Sequence, residues 1–341
     1  VPALWRPAVI VACAAFMAGC GSSESLEHFA GPTMGSTYSV KYVRSRATPE
    51  QAYLQEGIES ILAEIDVQMS TYRDDSLLEG FNRAPAGSCQ PMPEAVLELV
   101  RVGETLNRSS EGALDLTLDP LLKLWGFGPR GRNEQVPDAQ AIAEARERTG
   151  HQFLSIEGEQ LCKSADIQLD FNSLAAGYAV DRMADWLEKQ GVNRYLVEAT
   201  GELKARGRKP DSSAWRIAVE APRDDQRVAQ RILALDGLGV STSGDYRNYF
   251  EQDGQRYSHT LDPRSGRPIS HTLAAVTVVH PQTVQADALS TLLMVLGPEQ
   301  GMAYAEREGL AALFVQRRGE GFVSQASPAF DALFPAQEET P

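Results

Sequence analysis

Positive charge and cysteine are both scarce in this chain. Its 46 acidic residues face only 32 lysines and arginines, a formal net charge of -14. That balance excludes nucleic acid as the main partner, because a phosphate backbone demands a concentrated basic face. An anionic small molecule stays possible, since a metal ion and a few arginines can hold phosphates locally. The four cysteines, Cys13, Cys20, Cys89 and Cys162, form no paired pattern for zinc or an iron–sulfur cluster. Also missing are a glycine fingerprint for dinucleotides and a phosphate-loop lysine signature; Gly126-Phe-Gly128 follows Trp125 with no helix behind it. No regular βαβ repeat occurs, so the mixture of helices and strands reads as an α+β fold with largely antiparallel strands.

The apolar run from Ala8 to Ala18 is too short to span a bilayer as a mature helix. With Arg6 before it and Met17-Ala18-Gly19-Cys20 at its end, it reads as a secretory signal over residues 1–19. The Ala-Gly-Cys ending resembles a bacterial lipoprotein signal, in which Cys20 becomes the lipidated first residue and 20–29 serve as a polar tether. Residues 30–334 then form a single domain, and the acidic 335–341 a disordered tail. Cys89 and Cys162 fall within that domain, where one bridge or two free thiols both suit the spacing.

Hydrophobic periodicity predicts a first strand over Thr37–Val43 and a helix over 49–69, with Pro49 in its first turn behind Thr48 as cap. Further helices are predicted over 93–107, 138–149 and within 171–190, the last capped by Asn172 and Ser173 and stopped at Gly191. Strands are predicted over 195–198, 215–220, 239–242, 273–279 and 310–316, and a buried helix over 286–296.

Chemistry concentrates in a few segments. Ser241-Thr-Ser-Gly-Asp-Tyr-Arg-Asn-Tyr249 and Tyr257-Ser-His-Thr-Leu-Asp262 crowd hydroxyls, carboxylates, a histidine and arginines into turns and strand ends, too polar for core. In Ala286-Asp-Ala-Leu-Ser-Thr291, Asp287 and Thr291 share one helical face. An acid and a hydroxyl there need internal hydrogen bonds or an oxygen-seeking cation such as magnesium. Asp170-Phe-Asn-Ser-Leu-Ala-Ala-Gly177 leads into a helix whose start offers N–H groups either to its own caps or to an anion. Gly31 to Tyr38 holds Met34 in a tight turn, and Gln68 to Ser76 ends a helix with Tyr72. Leu116 to Pro129 suits either a ligand wall or a loop anchored in the core.

Together and in this order, these segments resemble the ApbE-type family of FAD:protein FMN transferases. The resemblance implies a single catalytic unit with a ligand cleft between two subregions. It implies transfer of FMN from FAD, as substrate, to a threonine or serine hydroxyl, with AMP released and Mg2+ drawing charge off the pyrophosphate. Carried over by motif, Asp287, Thr291 and the Ala175 carbonyl hold the metal. Met34 and Tyr72 lie near the flavin ring, and Asp181, Glu198, Gly201, Glu202, Arg247 and His259 line the nucleotide cleft. His259 assists the incoming hydroxyl, with Asp245 beside it and Asp262 either orienting it or replacing it. The implied setting is the periplasmic face of the inner membrane, with an anchor at Cys20. Implied targets are exported proteins such as flavinylated subunits of membrane redox complexes.

Two positions depart from the family pattern. Ala176 stands where a lysine is usual, which removes positive charge near the phosphates. Thr200 replaces a glycine, in conflict with a turn that needs positive φ. Two other readings use the same residues: a Mg-dependent pyrophosphatase that splits FAD into FMN and AMP, and a non-catalytic exported flavin binder.

Overall fold

The computed structural model describes residues 24–129, 135–220, 229–245, 248–319 and 321–335. Its centre is an eight-stranded sheet whose strands follow one another in chain order. These are β1 (Ser25–Thr33), β2 (Ser36–Arg44), β3 (Tyr195–Ala199), β4 (Glu202–Arg206), β5 (Leu238–Gly244), β6 (Leu273–His280), β7 (Ala311–Arg318) and β8 (Gly321–Ala326). Every neighbouring pair is antiparallel, which bears out the α+β expectation. A long insertion between β2 and β3 carries most of the helices: α1 (Gln51–Met69), α2 (Leu77–Arg83), α3 (Glu94–Ser109), α4 (Asp119–Leu124), α5 (Ala139–Glu147) and α6 (Ala175–Lys189). Helices α7 (Thr283–Arg307) and α8 (Pro328–Leu333) flank the last strands.

Side-chain alternation divides the sheet into two buried faces. Val40, Val276, Val278 and Phe314 face a core built with Leu54, Ile58, Met183 and Leu292 of α1, α6 and α7. Val43, Val240, Val279 and Leu313 face the opposite way, under Trp215 and Leu233 of the hairpin Trp215–Glu220/Ala229–Leu235 and Phe330 of α8. Strand β6 is sandwiched between both cores, which is why it reads as an unbroken apolar run. A smaller cluster of Leu121, Trp125, Ile142, Phe250 and Leu261 secures the segment around α4.

Several local expectations need correction. Ser25–Thr33 pairs with β2 along its whole length, so the tether expected over 20–29 gives way to an edge strand from residue 25. Thr48 does not cap α1: its hydroxyl accepts the Ser45 N–H at 2.9 Å, and Glu50 occupies the cap position. Leu174, not Asn172 or Ser173, precedes α6. The helix expected over 286–296 starts earlier and bends at Gly297, where φ is 77°, ahead of Pro298. Cys89 and Cys162, directly opposed on the paired strands Ser88–Pro91 and Gln160–Lys163, form a disulfide. The signal segment, Cys20 and residues 336–341 of the expected tail lie outside the described residues.

Candidate active site

Close contact between α6 and α7 sets the floor of the site. A Cβ on Gly177 would lie 2.5 Å from the Thr283 carbonyl oxygen and 2.7 Å from Asp287 Cβ, so only glycine fits. The contact lets the Gly177 N–H, in the first turn of α6, donate to Asp287 Oδ2 at 2.9 Å. Asp287 is only 5% exposed. Its Oδ1 faces Ser241 Oγ of β5 at 3.4 Å, and Glu202 Oε1 of β4 faces the same hydroxyl at 3.4 Å. Burial pushes both carboxyls above the usual carboxylate range, and the Glu202 charge pushes Asp287 further. Beside them runs a hydroxyl ladder: Ser243 Oγ lies 2.8 Å from Ser290 Oγ and 3.0 Å from Thr291 Oγ1.

These groups open into a cleft of about 710 Å³ between the β3–β4 turn, β5, α7 and the Trp215–Glu220 strand. Glu198, Gly201, Glu202, His259, Asp287 and Thr291 all line it, so six of the expected site residues converge. The β3–β4 turn is strained. Thr200 sits at φ 57°, the left-handed region its sequence position had put in question, and Gly201 follows at φ 121°. Three bonds hold the turn: Thr200 N–H to Thr37 O at 3.0 Å, Thr200 Oγ1 to Glu202 Oε2 at 2.9 Å, and Gly201 N–H to Glu198 Oε1 at 3.0 Å.

His259 lies where the cleft meets an inner pocket of about 140 Å³ walled by Leu114, Leu118, Leu122, Leu261 and Val295. The 116–129 segment thus both anchors in the core and walls a pocket. The His259 Nδ1–H donates to the Asn248 carbonyl at 3.0 Å. A carbonyl can only accept, so the proton resides on Nδ1 and Nε2 keeps its lone pair. Burial lowers the imidazole pKa below its ordinary 6.5. The ring is therefore a neutral acceptor at pH 7.

Of the described residues, the other expected ones are not among those lining the cleft. Asp262 does not orient His259; its carboxylate accepts the backbone N–H and guanidinium of Arg264 at 2.9–3.0 Å, closing a turn. Asp245 is committed to a bidentate pair with Arg317 at 2.6 and 2.9 Å. Asp181 faces the start of α7, where it accepts from Lys204, Thr283 Oγ1 and the Val284 N–H. Met34 packs on the main core from the β1–β2 turn, and Tyr72 is 71% exposed after α1. Ala175 opens α6, two residues before Gly177. Arg247 lies outside the described residues. Sequence reasoning missed Ser241 and Asn248 as individual partners, although both fall in the polar stretch it singled out.

Known proteins share this architecture. The model of the ApbE family matches residues 34–314. A FAD:protein FMN transferase of Vibrio cholerae is 42% identical over 323 residues, covering 94% of this chain and 97% of its own. That of Escherichia coli is 36% identical over 344 residues, with 96% and 97% covered. Among solved structures, the Pseudomonas stutzeri flavinyl transferase ApbE superposes with a TM-score of 0.87 at 63% identity, over 92% of this chain and 98% of that one.

Proposed function

The chain belongs to the ApbE family, and on that premise we propose that it transfers FMN from FAD to a threonine or serine hydroxyl of a target protein, releasing AMP. One observation carries the reading: a neutral histidine and a facing pair of desolvated carboxylates share a single cleft. Carboxyls pushed up by burial, Asp287 further by the Glu202 charge, form a site that a divalent cation relieves, and the Ser241 and Thr291 hydroxyls beside them suit Mg2+. Asp287, the Thr291 hydroxyl and the Ala175 carbonyl would hold the ion, with Glu202 across Ser241. Bound there, Mg2+ would neutralise charge on the pyrophosphate.

The protein's own groups account for the proton. His259 Nε2 accepts it from the target hydroxyl as that oxygen bonds to the FMN phosphorus. The bond from that phosphorus to the bridging oxygen breaks, and AMP departs with the electron pair. The Asn248 carbonyl holds the imidazole in the required tautomer throughout. Glu198 and Gly201 of the β3–β4 turn line the cleft and would face the nucleotide.

The same proposal extends to location and partners. Acylation at Cys20 would hold the domain at the periplasmic face of the inner membrane, near exported flavoproteins such as subunits of membrane redox complexes. Support comes from the signal-like opening of the sequence; among the described residues no helix is long and apolar enough to cross a membrane.

The test incubates the protein lacking residues 1–20 with FAD and Mg2+, with or without a candidate target domain, and records AMP and target mass. A target heavier by FMN, dependent on Mg2+ and on Asp287, supports the proposal. AMP released without any target indicates FAD hydrolysis instead, and FAD binding with neither product indicates a non-catalytic binder.

A further inference from the structure

His271 takes no part in the chemistry above, yet both of its ring nitrogens are committed. Nε2 lies 2.9 Å from the Met294 carbonyl of α7, and Nδ1 lies 3.3 Å from the Leu273 N–H. A carbonyl can only accept and an amide N–H can only donate. The proton therefore resides on Nε2, the opposite tautomer to that of His259. Burial lowers the pKa of this imidazole too, which keeps the ring neutral at pH 7.

The Met294 carbonyl has a particular need of a donor. In an unbroken helix it would accept the N–H four residues on, but that residue is Pro298, which has none. Just before it, Gly297 leaves the helical conformation at φ 77°. A Cβ there would lie 2.8 Å from His271 Cδ2, so glycine also leaves room for the ring. Gly297, Pro298 and His271 thus make one joint, in which the imidazole supplies the hydrogen that proline cannot.

The joint closes the part of α7 that carries Asp287, Ser290 and Thr291. The start of that part is held by Asp181, which accepts from Thr283 Oγ1 and the Val284 N–H, each at 3.0 Å. On its other side the ring bonds Leu273, the first residue of β6, and β6 pairs with β5 so that Val276 stands opposite Ser243. Ser243 in turn meets Thr291 at 3.0 Å. His271 therefore ties the strand side of the site to the helix side, about one turn beyond Thr291.

We propose that His271 is a positioning residue that fixes α7 against β5 and β6, and with it the spacing of the Asp287 and Thr291 oxygens that would hold a divalent cation. The use of that cation in FMN transfer rests on the flavin-transfer reading.

Two substitutions separate the two sides of the ring. His271→Gln can still carry a donor to the Met294 carbonyl. His271→Asn can accept from the Leu273 N–H but is too short to reach Met294. In the ligand-free protein, methyl NMR follows Thr291 and Val295, their signals assigned by loss in Thr291→Ser and Val295→Ala. Both signals are expected to shift in His271→Asn and to lie near their wild-type positions in His271→Gln. Mn2+ is then titrated by EPR as the probe of the cation site. Its Kd is expected to rise about tenfold in His271→Asn and to stay within about threefold in His271→Gln. In the transfer assay, His271→Asn should raise the Mg2+ needed for half-maximal rate by a similar factor, with kcat restored at saturating Mg2+. A domain that was merely destabilised would lose rate at every Mg2+ concentration. Unmoved methyl signals in His271→Asn, equal effects of the two variants, or a kcat that saturating Mg2+ does not restore would each overturn the proposal. A wild type that binds no Mn2+ or transfers no FMN would sink the flavin-transfer reading, while the methyl signals still decide this one.

Discussion

Glu202 and Asp287 meet on one hydroxyl, each placing a carboxylate oxygen 3.4 Å from Ser241 Oγ. Strands β4 and β5 and helix α7 contribute one group each, so the pair exists only in the folded chain. Both folded pKa values are raised. The fold therefore binds these protons more tightly than the unfolded chain does. Their contribution favours folding at low pH and is lost as pH rises above the ordinary carboxylate range. Asp287→Asn removes one charge while keeping the shape. It should raise the stability of the cation-free protein at neutral pH by about 1–3 kcal/mol and abolish FMN transfer. Urea unfolding in EDTA checks the first effect, and reduced stability of the variant would refute mutual repulsion.

Thr200 carries opposing contributions that substitution can separate. A β-branched residue at φ 57° costs about 1–2 kcal/mol, while its hydroxyl bonds Glu202 at 2.9 Å. Thr200→Gly loses both strain and bond and should stay within about 1 kcal/mol of the wild type. Thr200→Ala keeps the strain without the bond and should fall by about 1–2 kcal/mol. Equal stabilities of the two variants in urea would contradict this account.

The neutral form of His259 persists to lower pH than a free imidazole allows, because burial depresses its pKa below 6.5. The base is present above the folded pKa and lost as pH falls through it, so the acid limb of kcat that it sets should lie below about pH 6.5. His259→Gln should lower kcat by about 10²–10⁴-fold and leave FAD affinity nearly unchanged. Transfer rates at saturating FAD and target measure the first quantity, and fluorescence titration measures the second.

Legibility tracked locality. Strand β6 was readable because both its faces are buried, and the helix toward Gly297 because its apolar face repeats. Strand β4 was not: only Ala205 of Glu202–Arg206 is fully buried, so its conformation depends on β3 and β5 rather than on its own pattern. The short α2 and α4 escaped for a related reason, being too brief to show a period. Asp287, Thr291, Glu202 and His259, singled out through motifs, line one cleft. The partners of Asp245 and Asp181 were not legible, because Arg317 and the start of α7 lie 72 and 102 residues further along the chain. The partner of Asp262 is only two residues away, yet a lone Asp-x-Arg spacing carries no information about which way a carboxylate turns.

The Cys89–Cys162 bridge, with a sequence separation of 73, closes the loop that carries α3, α4 and α5. Replacing both cysteines with serine should lower stability by about 2–4 kcal/mol. Unfolding of the wild type with and without reductant should reproduce that difference, and an unchanged midpoint would show that the bridge adds nothing.

The early start of β1 sets a reach. Glu24 is already ion-paired with Arg194 on the body of the domain, which leaves four residue steps back to Cys20. Fully extended, those steps span at most about 14 Å. A chain acylated at Cys20 would thus ride close against the headgroups instead of sampling a wide volume. An acceptor hydroxyl would have to be presented within a thin layer above the bilayer, so the height of the modified residue above its own membrane anchor becomes a criterion for which proteins can be modified.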